Sequence, residues 1–165
     1  MIMIRLAKVA VTAALAAYAF MVAYNNIVDY GSNYEFVRHV LSMDTTFPGN
    51  ALMHRAISNE TAWRWAYGAI IATEALTALL LALGALMLLI RLRASAAVFN
   101  RAKVWAVAGL TVGFGLWFFG FMVAAGEYFL MWQSKVWNGQ QSAFRIAVEM
   151  LVALVFISLP DGEID

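Results

Sequence analysis

The chain has 165 residues, 64% of them hydrophobic against about 45–50% in soluble globular chains, and only 13% charged. That leaves too little polar surface to solvate a globule of this size, which excludes a water-soluble domain. A net charge of +1 offers no basic stripe to nucleic-acid phosphates, and the lack of cysteine removes disulfides, thiolate metal sites and palmitoylation.

A membrane-crossing helix needs roughly 20 predominantly apolar residues. The first such segment is 6–28, with Arg5 and Lys8 at its start and Asn25, Asn26 and Asp29 at its end. Its basic start and its small residues at Ala17 and Ala19 have the look of a signal peptide, and we read it as an uncleaved helix.

A cap over 30–62 follows. Gly31 is expected to end the first helix, and Ser32-Asn33-Tyr34-Glu35 reads as a capping box opening a short helix over 33–43. Phe36, Val37, Val40 and Leu41 form its apolar face, opposite Glu35, Arg38, His39 and Ser42. That pattern suits a helix lying flat on the membrane surface or on the bundle. Phe47-Pro48-Gly49-Asn50 predicts a turn, with Asn50 capping a second short helix through Ile57.

The second span is 65–90, between Arg64 and the pair Arg91 and Arg93, and its only interior charge is Glu74. The third is 104–125 and the fourth 142–159, ended by Pro160, which has no backbone N–H to extend a helix. Arg91, Arg93, Arg101 and Lys103, with Arg5 and Lys8, place the N-terminus and the loop between spans two and three in the cytoplasm. An even number of spans returns the acidic tail 161–165 to the same side. Trp63, Trp65, Trp132 and Trp137 mark the outer boundary and Trp105 the inner one. The expectation is an all-α membrane protein, residues 1–165 forming one four-transmembrane-helix bundle with a short helical extracytoplasmic cap.

The stretches Asn33-Tyr34-Glu35-Phe36-Val37-Arg38-His39-Val40-Leu41-Ser42-Met43-Asp44, Gly126-Glu127-Tyr128-Phe129-Leu130-Met131-Trp132-Gln133-Ser134 and Trp137-Asn138-Gly139-Gln140 carry a resemblance. On these the chain resembles the bacterial family of predicted small integral membrane proteins, across nearly its whole length. The resemblance implies a bacterial inner-membrane location and no particular activity.

Glu74 lies ten positions beyond Arg64, hence roughly 15 Å along the helix axis and near mid-bilayer. An acid there costs about 2.5–3.5 kcal/mol on insertion scales. It reads either as a proton or cation site or as a protonated carboxyl bonded across helices. Glu149 follows Arg145 by one turn, which allows a structural ion pair near the interface. Glu127 ends the helical stripe Gly109, Gly113, Gly120, Ala124, whose Gly-x-x-x-Gly pair marks close helix packing, inside the bundle rather than between copies. Axial rise places Glu74, Glu127 and Glu149 at successive depths in the outer half, a descending acidic track with Arg145 as counter-charge.

His39 with Met43, and Met53 with His54, offer thioether and imidazole ligands that suit copper, although all four residues also fit simple packing on lipid. No further cofactor is implied, and no nucleophile elbow, zinc-protease motif or phosphate loop occurs. The expected function is a non-catalytic accessory protein of the membrane, assembling with itself or with a larger complex. The alternative is a small binding or transport protein using the outer-half carboxylates for protons, metal ions or a cationic ligand.

Overall fold

The computed structural model describes residues 2–164, so that Met1 and Asp165, the ends of the expected domain and tail, lie outside the described residues. The helices are α1 (Ile2–Val28), α2 (Tyr30–Ser42), α3 (Glu60–Ile90), α4 (Ala96–Ala102), α5 (Val104–Phe114) and α6 (Gln140–Ser158). Helix α5 runs on as a π-helix (Gly115–Tyr128), and 3₁₀ turns occur at Met53–Arg55 and Met131–Gln133. Among the described residues, four helical runs are long and apolar enough to cross a membrane: α1, α3, the run Ala96–Tyr128, and α6.

The packing is that of a bundle made for lipid. Phe20, Ile27, Leu79, Phe119, Val152 and Val155 are exposed on its flanks, where hydrocarbon rather than water meets them. Helix α1 packs on α3, α3 on α5 and α5 on α6, with α6 closing more weakly on α1. Small residues set the spacing. A Cβ built on Gly84 would lie 2.6 Å from the backbone nitrogen of Ala106, and one on Gly109 would lie 3.0 Å from that of Leu81. Gly109 thus sits where the α5 and α3 backbones meet, and Gly113 sits against the side chains of Thr77 on α3 and Met150 on α6.

Gly120 departs from the expected stripe: a Cβ there would meet only Leu116 of its own run. The reason is the change of helix type. Phe129 N–H bonds to the Ala124 carbonyl five residues back, at 3.0 Å, so each turn takes up more residues and the buried face precesses. Beyond Gly113 the buried positions become Trp117 and Gly126, and Glu127 is turned outward.

The cap also differs in detail. Helix α1 continues to Val28, the chain bends at Asp29 alone (φ −108°, ψ 57°), and α2 opens at Tyr30. Gly31 and Ser32 therefore lie within α2's first turns rather than ahead of them, and the capping box does not form. The Ser32 hydroxyl donates to the Asp29 carboxylate at 2.7 Å, and Glu35 accepts from Arg38 at 2.7 Å. Val37 and Val40 are buried against the bundle, and the left-handed Met43 (φ 53°) ends the helix.

The Pro48–Gly49 turn closes as expected, with Gly49 at φ +76° and Asn50 N–H on the Phe47 carbonyl at 3.2 Å. Asn50 caps no helix: it accepts from Leu52 N–H at 2.9 Å in a local turn ahead of the 3₁₀ turn, whose N-cap Leu52 makes no side-chain bond, and Ile57 N–H goes to the Leu41 carbonyl at 2.8 Å. The cap docks on the α5–α6 connection: Thr45 donates to Ser134 at 2.9 Å, and His39 stacks on Trp137 at 4.6 Å between ring centroids.

Candidate functional site

Helix α3 buries Glu74, Thr77, Ala78, Leu81, Ala85 and Leu88, a three-and-four spacing that turns one face inward. Glu74 belongs to that face, is 2% exposed, and points into the bundle. Its partner comes from α1, where the buried positions Thr12, Ala16, Ala19, Ala23 and Asn26 form the facing stripe. Asn26 Nδ2 donates to Glu74 Oε2 at 2.7 Å, while Asn26 Oδ1 accepts from Asn33 Nδ2 at 2.6 Å. The backbone carbonyl of Asn26 accepts from the Tyr67 hydroxyl at 3.1 Å. Asn26 is thereby the hub linking α1, α2 and α3. Sequence reasoning placed it only at a helix end. The available signal was its position on an otherwise alanine stripe.

Around Glu74 is a cavity of about 230 Å³. Its walls include Asn26, Tyr67, Trp117, Phe121 and Ser142, and α2 roofs it with Phe36 and Val37. Glu74 Oε1 receives no hydrogen bond from the described residues, and it is not sealed away from this space. A second, apolar chamber of about 170 Å³ lies beside the first, sharing Phe36, Val37, Ile70 and Phe121 and extending to Leu116 and Gly120.

The expected acidic track does not assemble. Glu127 is exposed at the end of the π-helix, because the wider turn gives its inward place to Gly126. Glu149 and Arg145 are exposed on α6, whose inward positions are Ala143, Ala147 and Met150. Arg145 donates to Ser142 at 3.3 Å and forms no ion pair with Glu149 among the described residues. Only Glu74 of the three carboxylates reaches the cavity.

The thioether and imidazole residues differ in exposure and in the partners they hold. Both His39 nitrogens are engaged, Nδ1 with Asp44 at 2.9 Å and Nε2 with Arg38 at 2.7 Å. Met43 is buried under α2, whereas Met53 and His54 are exposed on the 3₁₀ turn. No group of three or more His, Asp and Glu side chains is set to hold a metal ion among the described residues.

A second buried polar centre lies at the opposite end, where both termini meet. Lys8 and Lys103 each place Nζ 2.6 Å from Asp161 Oδ2, and each donates to the Leu159 carbonyl at 2.6 Å. Arg5 donates to the carbonyls of Leu92, Ala94 and Gly162 and lies 4.5 Å over the Phe99 ring. All four charged side chains are buried. Burial pushes the Asp161 carboxyl upward, but hydrogen bonds and charge from Lys103 and Lys8 outweigh it and hold the group below its ordinary value. The sequence showed these cations only as markers of topology.

No curated protein and no solved structure matches the chain. The family described as predicted small integral membrane protein (DUF2165) matches residues 4–160, which take in the four spans less the first two residues of α1, the cap and every residue around the Glu74 cavity. The chain belongs to that family and is an integral membrane protein.

Proposed function

We propose that this chain is a non-catalytic membrane protein that binds a small ligand from its capped side, in the cavity around Glu74. The observation that supports it most is the carboxylate itself: buried, oriented through one oxygen by Asn26, and open to a cavity through the other. Asp161 also leaves one oxygen without a donor, but that atom is sealed among packed groups, whereas the unbonded oxygen of Glu74 adjoins open space. The terminal end, closed by the Lys8–Asp161–Lys103 cluster, gives the cavity a single mouth in this reading.

We further propose that the protein lies in a bacterial inner membrane with both termini in the cytoplasm, so that the cavity faces outward. This rests on the basic residues at the terminal end. With no native cysteine to interfere, Ser95→Cys should react with an impermeant thiol reagent only from the cytoplasmic side, and Asn50→Cys only from outside. Val22→Cys, in the cavity wall, should react with small water-soluble methanethiosulfonates added on the side that labels Asn50→Cys. The exposed flank position Val155→Cys should stay unlabelled. An unreactive Val22→Cys would sink the binding reading.

A second reading has its own observation. An apolar groove of about 490 Å³ runs between α1 and α3 on the flank, lined by Ala16, Phe20, Tyr24, Ala75 and Leu79. It is the surface on which an accessory role, assembly with a second copy or with another membrane protein, would rest.

A further inference from the structure

We infer that the ligand is an amphipathic organic cation, a substituted ammonium carrying a short hydrocarbon tail. The inference rests on the binding reading above and adds the chemical class.

Charge points that way first. The cavity lining contains one carboxylate and no lysine, arginine or histidine, so an anion would meet a like charge and no cationic partner there. Hydrogen-bond polarity agrees. The Asn26 amide donates to Glu74, and the Tyr67 hydroxyl donates to the Asn26 carbonyl, so both of these lining donors are turned to the protein. Glu74 Oε1 remains open as an acceptor and bears the charge of the lining, whereas the unspent donors there, the Trp117 indole N–H and the Ser142 hydroxyl, are neutral.

The walls are the second argument. Phe36, Tyr67, Trp117 and Phe121 all line the same cavity as Glu74. Aromatic faces attract a cation through their quadrupoles, and alkyl-substituted ammonium groups exploit this best because they shed water readily. An aromatic box with one carboxylate is a poor site for a strongly hydrated metal ion, which wants several oxygen ligands.

The third is the neighbouring chamber. It is apolar, shares the Phe36 and Phe121 walls, and is bordered by Gly120, where an added Cβ would meet only Leu116, at 3.6 Å. Together the two chambers reach the lower part of the range of about 300–1,000 Å³ found for small-molecule pockets. A head beside Glu74 and a tail beside Gly120 would occupy both.

The test uses the full chain in lipid nanodiscs, with hexyltrimethylammonium, hexanol and hexanoate as probes and empty nanodiscs as the partition control. Hexyltrimethylammonium should bind saturably and protect Val22→Cys from labelling, and hexanoate should do neither. Glu74→Gln should weaken the cation by about tenfold or more while leaving hexanol unchanged. Gly120→Leu, which fills the apolar chamber, should weaken hexyltrimethylammonium but not tetramethylammonium. Protection by hexanol or hexanoate with none by the cation would overturn the ligand class and leave the cavity reading standing. Equal cation binding by wild type and a folded Glu74→Gln would also overturn it. A Val22→Cys that never labels fails the earlier reading, before any probe is added.

Discussion

Helix α1 carries a buried stripe that touches two polar centres, Arg5 and Lys8 near its start and Asn26 near its end. The terminal centre is crowded. Three cations donate to backbone carbonyls of the α3–α4 connection and the C-terminal segment, and two of them also donate to the Asp161 carboxylate. The capped centre is sparse, with one carboxylate, no counter-charge in its lining and an adjoining cavity. The centre richer in charge is the clasp, because nearly all of its donors and acceptors are spent inside the protein; Arg5 Nε and Asp161 Oδ1 are the exceptions. In a membrane bundle, buried charge marks a binding site when room and an unspent polar atom accompany it, and otherwise marks a fastening.

The sharpest way to break this comparison is to unfasten the terminal end. Asp161→Ala leaves Lys8 and Lys103 buried without a counter-ion and should destabilise by about 3–5 kcal/mol in thermal unfolding in detergent. Replacing all three groups by apolar ones, Lys8→Met, Lys103→Met and Asp161→Leu, should recover most of that loss. A cluster that held a ligand would not be replaceable in this way.

At the capped end the expected effect is smaller and divides by chemistry. Glu74→Leu strands the Asn26 amide and should cost about 1–3 kcal/mol, while Glu74→Gln keeps an acceptor and should unfold near wild type. Equal losses for the two would mean that Glu74 acts only through its volume. Packing offers a comparison between positions of one residue type. Gly84→Ala should cost about 1–3 kcal/mol, since its methyl would meet the Ala106 backbone, and Gly120→Ala should be near neutral.

Acid should act on the clasp. Asp161 has a depressed pKa, so its contribution is fully present above the unfolded carboxylate value of about 3.9 and is lost as pH falls through the lower folded value. The stability gap between wild type and Asp161→Asn should therefore be constant from neutral pH down to about 4 and close only below that. The smallest effect is expected at Ser32→Ala. Ser32 bonds to the Asp29 side chain rather than capping α2, so hydrogen exchange in the cap should change by no more than about 0.5 kcal/mol.

The sequence by itself determined the four spans, the cap between the first two, the Pro48–Gly49 turn and the single acid inside α3. Each of these is written locally, as a run of apolar residues, a turn dipeptide, or a charge where hydrocarbon forbids one without a reason. Only the tertiary structure decided which polar groups meet. The α-helical periodicity applied to residues 115–128 put Glu127 inward, and the π-helix rotated it out in favour of Gly126. The positions of Arg145 and Glu149 on α6 were settled by the small residues that dock that helix, Ala143 and Ala147. Asn26 reaches Glu74, and Lys8 reaches Asp161, across separations of 48 and 153 residues. Such pairings depend on how whole helices pack, and no spacing within a single helix encodes them.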